Sequence, residues 1–345
     1  MVIVMSEIGN LVDLCRHFGS DRKYVQGAGG NISVKTTDGK LVIKSSGFRL
    51  GDVSTNKGLS TVNLPGIVEM YEPLGIEDEE KGARCLEANL ISGTKPSMET
   101  SFHSHSAKYT IHLHPVHLLT LLCSLSGREE IDRLITPRNQ PPVPFHEKVS
   151  WIDYAKPGHV LAMMMKEADA YRLKAPFDSG GDVRLVFLEN HGIIATSKNS
   201  STCRDSIEEL EEKTVKYLAR KRPDFKPFQY KNLTHANGGF LNKRPETMFF
   251  LKNTDLHGEY LFPDSVVYMK NLFRGDGRIR ARDDGIFFEM GAKDAESANE
   301  VISAHIYVQQ AIEKLGLSPF YLSKKQVSEI DGMPEEAYRR SIGGI

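Results

Sequence analysis

The chain has 345 residues, enough for one large domain or two domains of ordinary size. Hydrophobic residues account for 40 % and charged residues for 26 %, which is typical of a soluble globular protein. The 44 Lys and Arg residues nearly balance the 45 Asp and Glu residues, so the overall charge favours binding to neither nucleic acid nor an anionic membrane. Any anionic ligand must therefore be bound by a local site.

The cysteines and the N-terminal residues indicate the cellular compartment. The cysteines form no C-x-x-C pair and are far apart, at Cys15, Cys85, Cys123 and Cys203. Free buried thiols in a reducing compartment explain this spacing better than disulfides or a zinc–thiolate site. The opening MVIVMSEIGN lacks the features of a signal peptide, and no stretch approaches the roughly 20 apolar residues that span a bilayer. We expect a cytoplasmic protein.

The first third of the chain is predicted to contain helices and a hairpin framed by glycines. An amphipathic pattern predicts an opening helix, after which the strand-like runs NISVKT and KLVIKSS are joined by an Asp-Gly hairpin signal. A later helical pattern is predicted to end at Gly93. Ser97 is the predicted N-cap of the next helix, with Glu99 in its first turn.

The middle of the chain alternates predicted strands and helices. The run YTIHLH is a predicted strand, after which Pro115 starts a helix. Residues 149–168 are predicted to pass from strand into helix, and residues 183–197 to form a strand, a tight turn and a second strand. An amphipathic helix is predicted over 205–220.

The last third of the chain follows a loop rich in Lys, Pro and Phe at 221–232, which suggests a domain boundary. The elements predicted after it are a strand near 259–269, a hairpin over 274–285 and a helix over about 295–315. Along the whole chain the elements do not alternate in a clean βαβ rhythm. The pattern therefore predicts an α/β protein with a mixed or antiparallel sheet rather than a Rossmann fold.

Histidines are concentrated in TIHLHPVHLL, residues 110–119. His112 and His114 would point to the same face of a strand, where two neutral imidazoles either fill a core or form half of a metal site. The zinc pattern H-x-H-x-D-H does not fit because Val116 replaces the aspartate, and H-E-x-x-H is absent. His191 in ENHGIIA is the best third ligand, although a histidine that only caps a tight turn explains this residue alone more simply.

Three histidines would leave one zinc coordination position open to substrate, and such a metal is a Lewis acid that polarises a carbonyl. Glu99 is the carboxylate best placed to move a proton, although helix-dipole complementarity also explains it. The turns GAGGN and SSG offer backbone N–H groups for the substrate's anionic end. The side chains that would add donors there are Asn31, Ser45, Ser46 and Ser97.

Five sequence blocks follow one another along the chain: GGNIS (29–33), IKSSG (43–47), PSMETSFH (96–103), IHLHPVH (111–117) and NHGIIA (190–195). Together these blocks resemble the class II aldolase/adducin family, typified by fuculose-phosphate and rhamnulose-phosphate aldolases and ribulose-phosphate 4-epimerase. The resemblance covers roughly residues 5–220.

The resemblance implies that His112, His114 and His191 bind Zn²⁺ or another divalent metal, and that Glu99 is the catalytic acid/base. The residues that it places around the substrate's phosphate are Gly30, Asn31, Ser46, Gly47 and Ser97. It also implies αβα layers with a mostly antiparallel central sheet flanked by helices. Family members are commonly tetramers with active sites at subunit interfaces, so the resemblance implies a homotetramer.

Two positions depart from the family pattern. Met98 stands where the phosphate block often carries a second serine, so one hydroxyl donor is missing. Lys44 adds a cation to the second loop, either as a solvated strand lysine or as a replacement for the lost anion affinity. Several runs, including LFPDSVVY, look closest to the aldolase half of bifunctional rhamnulose-phosphate aldolase/alcohol dehydrogenases. We therefore expect a catalytic domain over 1–225 and a C-terminal extension over 226–345 that packs on it.

The resemblance implies a zinc-dependent aldolase of carbohydrate metabolism. Its substrate would be a ketose 1-phosphate, which it cleaves to dihydroxyacetone phosphate and an aldehyde, and neither nucleic acid nor a membrane is an expected partner. The same site would equally serve a 4-epimerase, a dehydratase or a decarboxylase, and the residues do not separate these reactions. The alternative from another class is a non-catalytic adducin-like scaffold, but such members lose the metal histidines that this chain keeps.

Overall fold

An eight-stranded sheet lies at the centre of the structure, a computed structural model that describes residues 2–136, 149–168, 170, 183–253, 259–274 and 277–334. Its strands are β1 Asn31–Lys35, β2 Lys40–Lys44, β3 Leu59–Asn63, β4 Leu90–Ser92, β5 Tyr109–Leu113, β6 Ser150–Ile152, β7 Val183–Leu188 and β8 Gly192–Ser197. They lie in the order β4-β3-β2-β1-β5-β8-β7-β6 and are antiparallel except for the β6–β7 pair. The predicted mixed, mostly antiparallel sheet is confirmed.

Helices cover both faces of this sheet, as the αβα prediction requires. They are α1 Val2–Gly19, α2 Leu64–Tyr71, α3 Glu79–Ala88, α4 Thr100–His105, α5 Val116–Leu122, α6 Gly127–Ile135, α7 His159–Glu167 and α8 Ser200–Lys221. Helices α1, α5, α6 and α8 pack on one face, while α2, α3, α4 and α7 pack on the other.

The two hydrophobic cores arise because side chains alternate along each strand. In β7, Leu185 and Phe187 belong to the core under α1 and α8, whereas Val186 and Leu188 belong to the core under α2 and α7. This is the period of two that strand geometry imposes. Because both faces are covered, β7 reads as a continuous apolar run instead of an alternating one.

The C-terminal part of the described chain builds a second sheet and a third core. Its strands are β9 Thr234–Ala236, β10 Gly239–Asn242, β11 Ile279–Arg282 and β12 Gly285–Phe288, in the order β11-β12-β10-β9. Its helices are α9 Pro245–Asn253, α10 Pro263–Arg274, α11 Ala292–Lys314 and α12 Lys324–Asp331. The third core surrounds α11 and includes Val116, Leu119 and Cys123 from α5 and the residue after it. The division into domains 1–225 and 226–345 stays a prediction.

Strand pairing brings the predicted site residues to one edge of the large sheet. Strand β5 lies between β1 and β8, with Asn31 opposite His112 and His112 opposite Ile194. His191 lies in the tight turn immediately before β8 begins at Gly192. The start of β1, the end of β5 and the start of β8 therefore meet at the same place.

Gly93 does not end a helix, contrary to the sequence prediction. Helix α3 already ends at Ala88, and the next residues form β4, which pairs with β3. Gly93 has a φ of +93°, and a Cβ there would lie 2.3 Å from the carbonyl oxygen of Leu59. The glycine therefore serves a close backbone approach at the sheet edge, and strand pairing overrides the local helical pattern.

The prediction of a strand near 259–269 is also wrong, because helix α10 begins within this stretch, at Pro263. Pro263 and Asp264 in its first turn are helix-start signals that outweigh the strand propensity of the Val-Val-Tyr run behind them. Like the other helices in the described ranges, α10 is not long and apolar enough to cross a membrane.

His305 in α11 should make stability sensitive to acid. The ring is fully buried near Phe250 and Phe262, and burial lowers its pKa to about 3. Because the unfolded chain binds this proton near pH 6.5, the native state loses stability progressively as the pH falls from about 6.5 toward 3. The free energy of unfolding of the wild type should therefore fall between about pH 7.5 and pH 5. We expect this fall to be about 2 kcal/mol smaller in His305→Leu, measured by urea unfolding at the two pH values.

His235→Leu is the matched control for the loss of one histidine, because His235 lies at an exposed position of β9. An equal change of pH dependence in both variants would contradict burial of His305 as the cause.

Candidate metal centre and active site

One pocket at the sheet edge collects the residues that the sequence predicted for the site. Its walls are the two glycine-rich loops, the turn before α4 and two of the histidines. The predicted residues that line it are Gly30, Asn31, Lys44, Ser46, Gly47, Ser97, Glu99, His114 and His191. His112 is fully buried beside them, next to Glu99 and His114. The structure thus brings these residues together, while their roles stay predictions. The exception is Ser45, which was predicted as a donor but does not line the pocket; its hydroxyl lies 2.7 Å from that of Ser60.

Three buried histidines converge at this pocket. One potential ligand atom from each of His112, His114 and His191 lies within 4.8 Å of the other two. The Nε2 atoms of His112 and His114 are 3.1 Å apart. Two nitrogen ligands of a tetrahedral zinc ion would lie about 3.3 Å apart, because Zn–N bonds are about 2.0–2.1 Å long. This spacing suits one shared cation.

Hydrogen bonds from the second ring nitrogen orient two of these histidines. Nδ1 of His112 donates to the carbonyl of Ile193 at 3.1 Å, and Nδ1 of His114 donates to Oδ2 of Asp264 at 2.9 Å. With the protons on Nδ1, the Nε2 lone pairs face each other, an arrangement that a cation stabilises. Burial lowers the pKa of His112 to about 4, so its ring is neutral at neutral pH. The donor set therefore fits a divalent metal held by imidazoles.

Glu99 lies against the same histidines. Its Oε2 is 3.5 Å from Nε2 of His112, and its Oε1 is 3.6 Å from Nε2 of His191. The carboxylate is buried, and within the described ranges Oε1 has no hydrogen-bond partner. A buried carboxylate oxygen without such a bond is costly unless a cation or a proton neutralises it. The position suits either a metal ligand or a group that exchanges a proton with substrate.

Ser97 is not the N-cap of α4, which corrects the sequence prediction. The helix begins at Thr100, and Glu99 occupies the N-cap position without a side-chain capping bond. The Ser97 hydroxyl instead accepts the backbone N–H of Glu99 at 3.3 Å, and the Ser97 carbonyl accepts that of Thr100 at 3.0 Å. This turn fixes the backbone that carries the Glu99 side chain.

Asn31 orients Glu99 through a buried hydrogen-bond network. Its Nδ2 donates to Oε2 of Glu99 at 2.6 Å and to the Ser97 hydroxyl at 3.2 Å. Its Oδ1 accepts from Nε2 of His103, whose Nδ1 accepts from the Ser33 hydroxyl at 2.7 Å. Burial holds the pKa of His103 well below its usual range, so the neutral ring can donate with one nitrogen and accept with the other.

The glycine-rich loops need glycine where they approach the site. Gly30 and Gly47 have φ values of 60° and 76°, in the left-handed region that disfavours side chains. A Cβ at Gly30 would also lie 2.8 Å from the carbonyl oxygen of His112. Substrate can therefore approach the loop backbone closely, without a side chain in between.

Lys44 joins the two loops. The side chain is buried, and its ammonium donates to the carbonyl of Ala28 at 2.7 Å and to that of Phe48 at 2.8 Å. The interpretation of Lys44 as a solvated strand lysine is therefore wrong. Met98, which replaces a serine of the family pattern, also lines the pocket.

Two histidines close to the H-x-H pair in the sequence, His105 and His117, have separate surroundings. His117 accepts the backbone N–H of Phe228 at its Nε2, at 2.8 Å, and donates from Nδ1 to Glu211. His105 donates from Nδ1 to the carbonyl of Ser101 at 3.1 Å. The His117 contacts join α5 to α8 and to the chain at Phe228, whereas the His105 contact lies within α4.

The sequence analysis missed Asp264. This residue lies in the first turn of α10, is buried, and accepts the His114 hydrogen bond described above. The Pro-Asp pair at 263–264 was a usable signal for a helix start. Nothing in the local pattern, however, connects that helix with a histidine 150 residues earlier.

Over residues 9–217 the sequence matches the family described as the Class II Aldolase and Adducin N-terminal domain. This match spans more than half of the chain and contains the three histidines, Glu99 and both glycine-rich loops. The chain belongs to the class II aldolase and adducin family.

Two curated relatives show which activities occur among similar proteins. The chain is 32 % identical over 197 residues to a 3-oxo-tetronate 4-phosphate decarboxylase from Pectobacterium atrosepticum, a match that covers 55 % of this chain and 74 % of the relative. It is 27 % identical over 207 residues to an L-fuculose phosphate aldolase from Methanocaldococcus jannaschii, covering 58 % of this chain and 90 % of that relative.

Among solved structures, the chain is similar to the N-terminal class II aldolase domain of a conserved protein from Thermoplasma acidophilum. It is 21 % identical, with a TM-score of 0.49, and the match covers 61 % of this chain and 93 % of that one.

Lys44→Met should destabilise the protein, because it leaves two loop carbonyls without a charged donor. We expect the free energy of unfolding to fall by about 2–4 kcal/mol, measured by urea unfolding of the metal-free protein. Lys40→Met on the same strand is the matched control: Lys40 pairs with Asp38 at the surface, where an ion pair contributes less than about 1 kcal/mol. Equal losses in the two variants would contradict the loop-joining role.

Proposed function

We propose that the chain is a divalent-metal-dependent lyase that cleaves a ketose 1-phosphate to dihydroxyacetone phosphate and an aldehyde. The observation that carries this proposal is the convergence of three buried imidazoles and one buried carboxylate at a pocket walled by glycine-rich loops. An adducin-like scaffold does not require such a cluster, since a purely structural core would be more stable with apolar residues in its place.

The glycine-rich loops would bind the phosphate. Both loops, which contain Gly30 and Gly47, line the pocket wall, where an anion would meet their backbone. Lys44 fixes both loops and places a positive charge behind them. Ser46 and Ser97 supply hydroxyl donors in the same wall. Because Met98 has no hydroxyl group, the loops, the two serines and Lys44 would bind the phosphate without a third hydroxyl donor.

His112, His114 and His191 would hold the metal. A divalent ion at this position would act as a Lewis acid that favours negative charge on the substrate's oxygen atoms during carbon–carbon bond cleavage. Three imidazole donors are typical of catalytic zinc sites, so we propose Zn²⁺. We further propose a cytoplasmic homotetramer, on the strength of the family resemblance.

Glu99 would move the proton that the reaction needs. Retro-aldol cleavage breaks the C3–C4 bond, transfers the proton of the C4 hydroxyl to the carboxylate of Glu99 and leaves the electron pair of the broken bond on C3. Protonation of C3 by the carboxyl group of Glu99 completes dihydroxyacetone phosphate. The hydrogen bond from Asn31 to Oε2 holds the carboxyl group in place, with Oε1 available for the proton.

Decarboxylation of a 3-oxo acid phosphate is the second candidate, favoured by the 32 % identity to a 3-oxo-tetronate 4-phosphate decarboxylase. That reaction also develops negative charge next to a carbonyl group and also ends with protonation of carbon. The leaving group, CO₂ instead of an aldehyde, distinguishes it from the aldolase reaction.

Product analysis separates the two candidates and tests the metal. We expect the purified protein to release dihydroxyacetone phosphate from rhamnulose or fuculose 1-phosphate, and a chelator to abolish the release, with recovery on addition of Zn²⁺. Release of CO₂ from 3-oxo-tetronate 4-phosphate alone would favour the decarboxylase. Full activity in the presence of chelator would contradict the proposal.

Because it removes one ligand, His114→Ala should lose bound metal and activity together.

Glu99→Gln should separate proton transfer from metal binding. The amide is isosteric but cannot donate a proton, so we expect kcat to fall by about 10²–10⁴-fold while the three histidines retain the metal. Metal content and steady-state kinetics measure the two effects. Glu69→Gln, at an exposed position of α2, is the matched control. Undiminished turnover in Glu99→Gln would refute the acid/base role.

A further inference from the structure

We propose that Asp264, which lies beyond the residues matched by the family, is a positioning residue that holds His114 in the tautomer that presents Nε2 to the metal. The inference rests on the proposed metal centre. It makes the C-terminal segment (residues 226–345, described in part up to 334) a component of that centre.

The geometry of the pair determines the tautomer. Oδ2 of Asp264 is 2.9 Å from Nδ1 of His114, while Nε2 of the same ring is 3.1 Å from Nε2 of His112. An ionised carboxylate only accepts hydrogen bonds, so the proton lies on Nδ1 and the lone pair on Nε2. An acceptor on the far nitrogen also increases the basicity of the ligating nitrogen.

The burial of Asp264 supports a functional interpretation. The residue is 4 % exposed, and a buried carboxylate is costly unless hydrogen bonds and positive charge compensate it. The ring of His114 supplies one hydrogen bond. A divalent cation on the other side of that imidazole supplies the charge, so the carboxylate and the metal stabilise each other.

The first glycine-rich loop leaves room for the pair. A Cβ at Gly29 would lie 2.6 Å from Oδ2 of Asp264 and 3.1 Å from Nδ1 of His114, so any side chain there would displace them. The same loop is held by the C-terminal segment, since the Gly27 N–H donates to Glu300 of α11 at 2.8 Å. Loop, carboxylate and histidine are thus packed as one unit.

A second ligand depends on the same segment. Asn190, which precedes His191 and has a φ of 51°, donates from Nδ2 to the carbonyl of Leu261 at 2.7 Å and to that of Phe320 at 2.5 Å. These bonds hold the turn that carries His191. The C-terminal segment therefore contacts two of the three ligand-bearing regions independently.

Metal titration of the full-length, metal-free protein tests the role of Asp264. With Co²⁺ as the probe and its visible absorption as the signal, we expect Asp264→Ala to weaken binding by about 10–100-fold. Asp264→Asn keeps an acceptor for Nδ1 but loses the charge, so we expect a smaller loss together with shifted Co²⁺ absorption bands. A purely structural role for Asp264 would leave the bands of the Asn variant unmoved. Affinities within about two-fold of wild type in both variants would overturn the inference.

Asp331→Ala is the matched control, because Asp331 lies on the same segment and pairs with Lys270. An equal loss of Co²⁺ affinity in this control would overturn the specific role of Asp264. If urea unfolding of the metal-free protein shows that Asp264→Ala does not fold, the Co²⁺ affinity and absorption bands of the isosteric Asp264→Asn variant test the inference instead.

The wild type and His114→Ala separate this inference from the proposed function. Co²⁺ binding by wild type that is lost in His114→Ala supports the metal centre whatever the result at Asp264. Wild-type binding that persists unchanged in the Asp264 variants overturns only the inference. Failure of the wild type to bind Co²⁺ contradicts the proposed function and the inference together.

Discussion

The antiparallel pairing of β5 with β1 and β8 is the interaction on which the site depends. It places Asn31 opposite His112 and starts β8 directly after the turn that carries His191. A slip of one residue would exchange the two faces of the strand, so the hydrophobic cores on both sides fix the position of each ring. The polar cluster is tolerated at this depth because its members hydrogen-bond to one another, as Asn31 does with Glu99 and His103.

Local patterns predicted the parts of the fold in which neighbouring residues decide the structure. The i, i+2 spacing of His112 and His114 indicated a candidate ligand pair at the end of one strand, and the turn before Gly192 indicated a candidate third histidine; the structure brings the three rings together. Prediction failed where distant pairing decides. The helical pattern before Gly93 ended early because β4 pairs with β3. The strand-like run after Pro263 is a different case, because the helix-start signals at Pro263 and Asp264 outweigh its strand propensity and it forms helix α10.

The contact of the C-terminal segment with the candidate site could not be predicted from the sequence for a physical reason. Asp264 contacts His114 because the start of α10 lies next to the end of β5. The chain has 45 acidic residues, and no local pattern singles out Asp264 among them as the partner of His114. Lys44 shows the same limit: its place on β2 was predicted, but its burial depends on two loops that close over it. Sequence patterns identify the ligands of a metal more readily than the groups that orient those ligands.

Helix α5 follows the candidate metal ligands His112 and His114 and has no face toward solvent. All of its residues are buried: Leu118 and Leu121 belong to the core beneath the large sheet, and Val116 and Leu119 to the core around α11. Unfolding of either core would expose the side of α5 that packs in it. Loosening of the C-terminal helices would therefore spread to the sheet, and the two halves should melt cooperatively as one unit. Evolution would have little freedom to vary residue volume along these two turns.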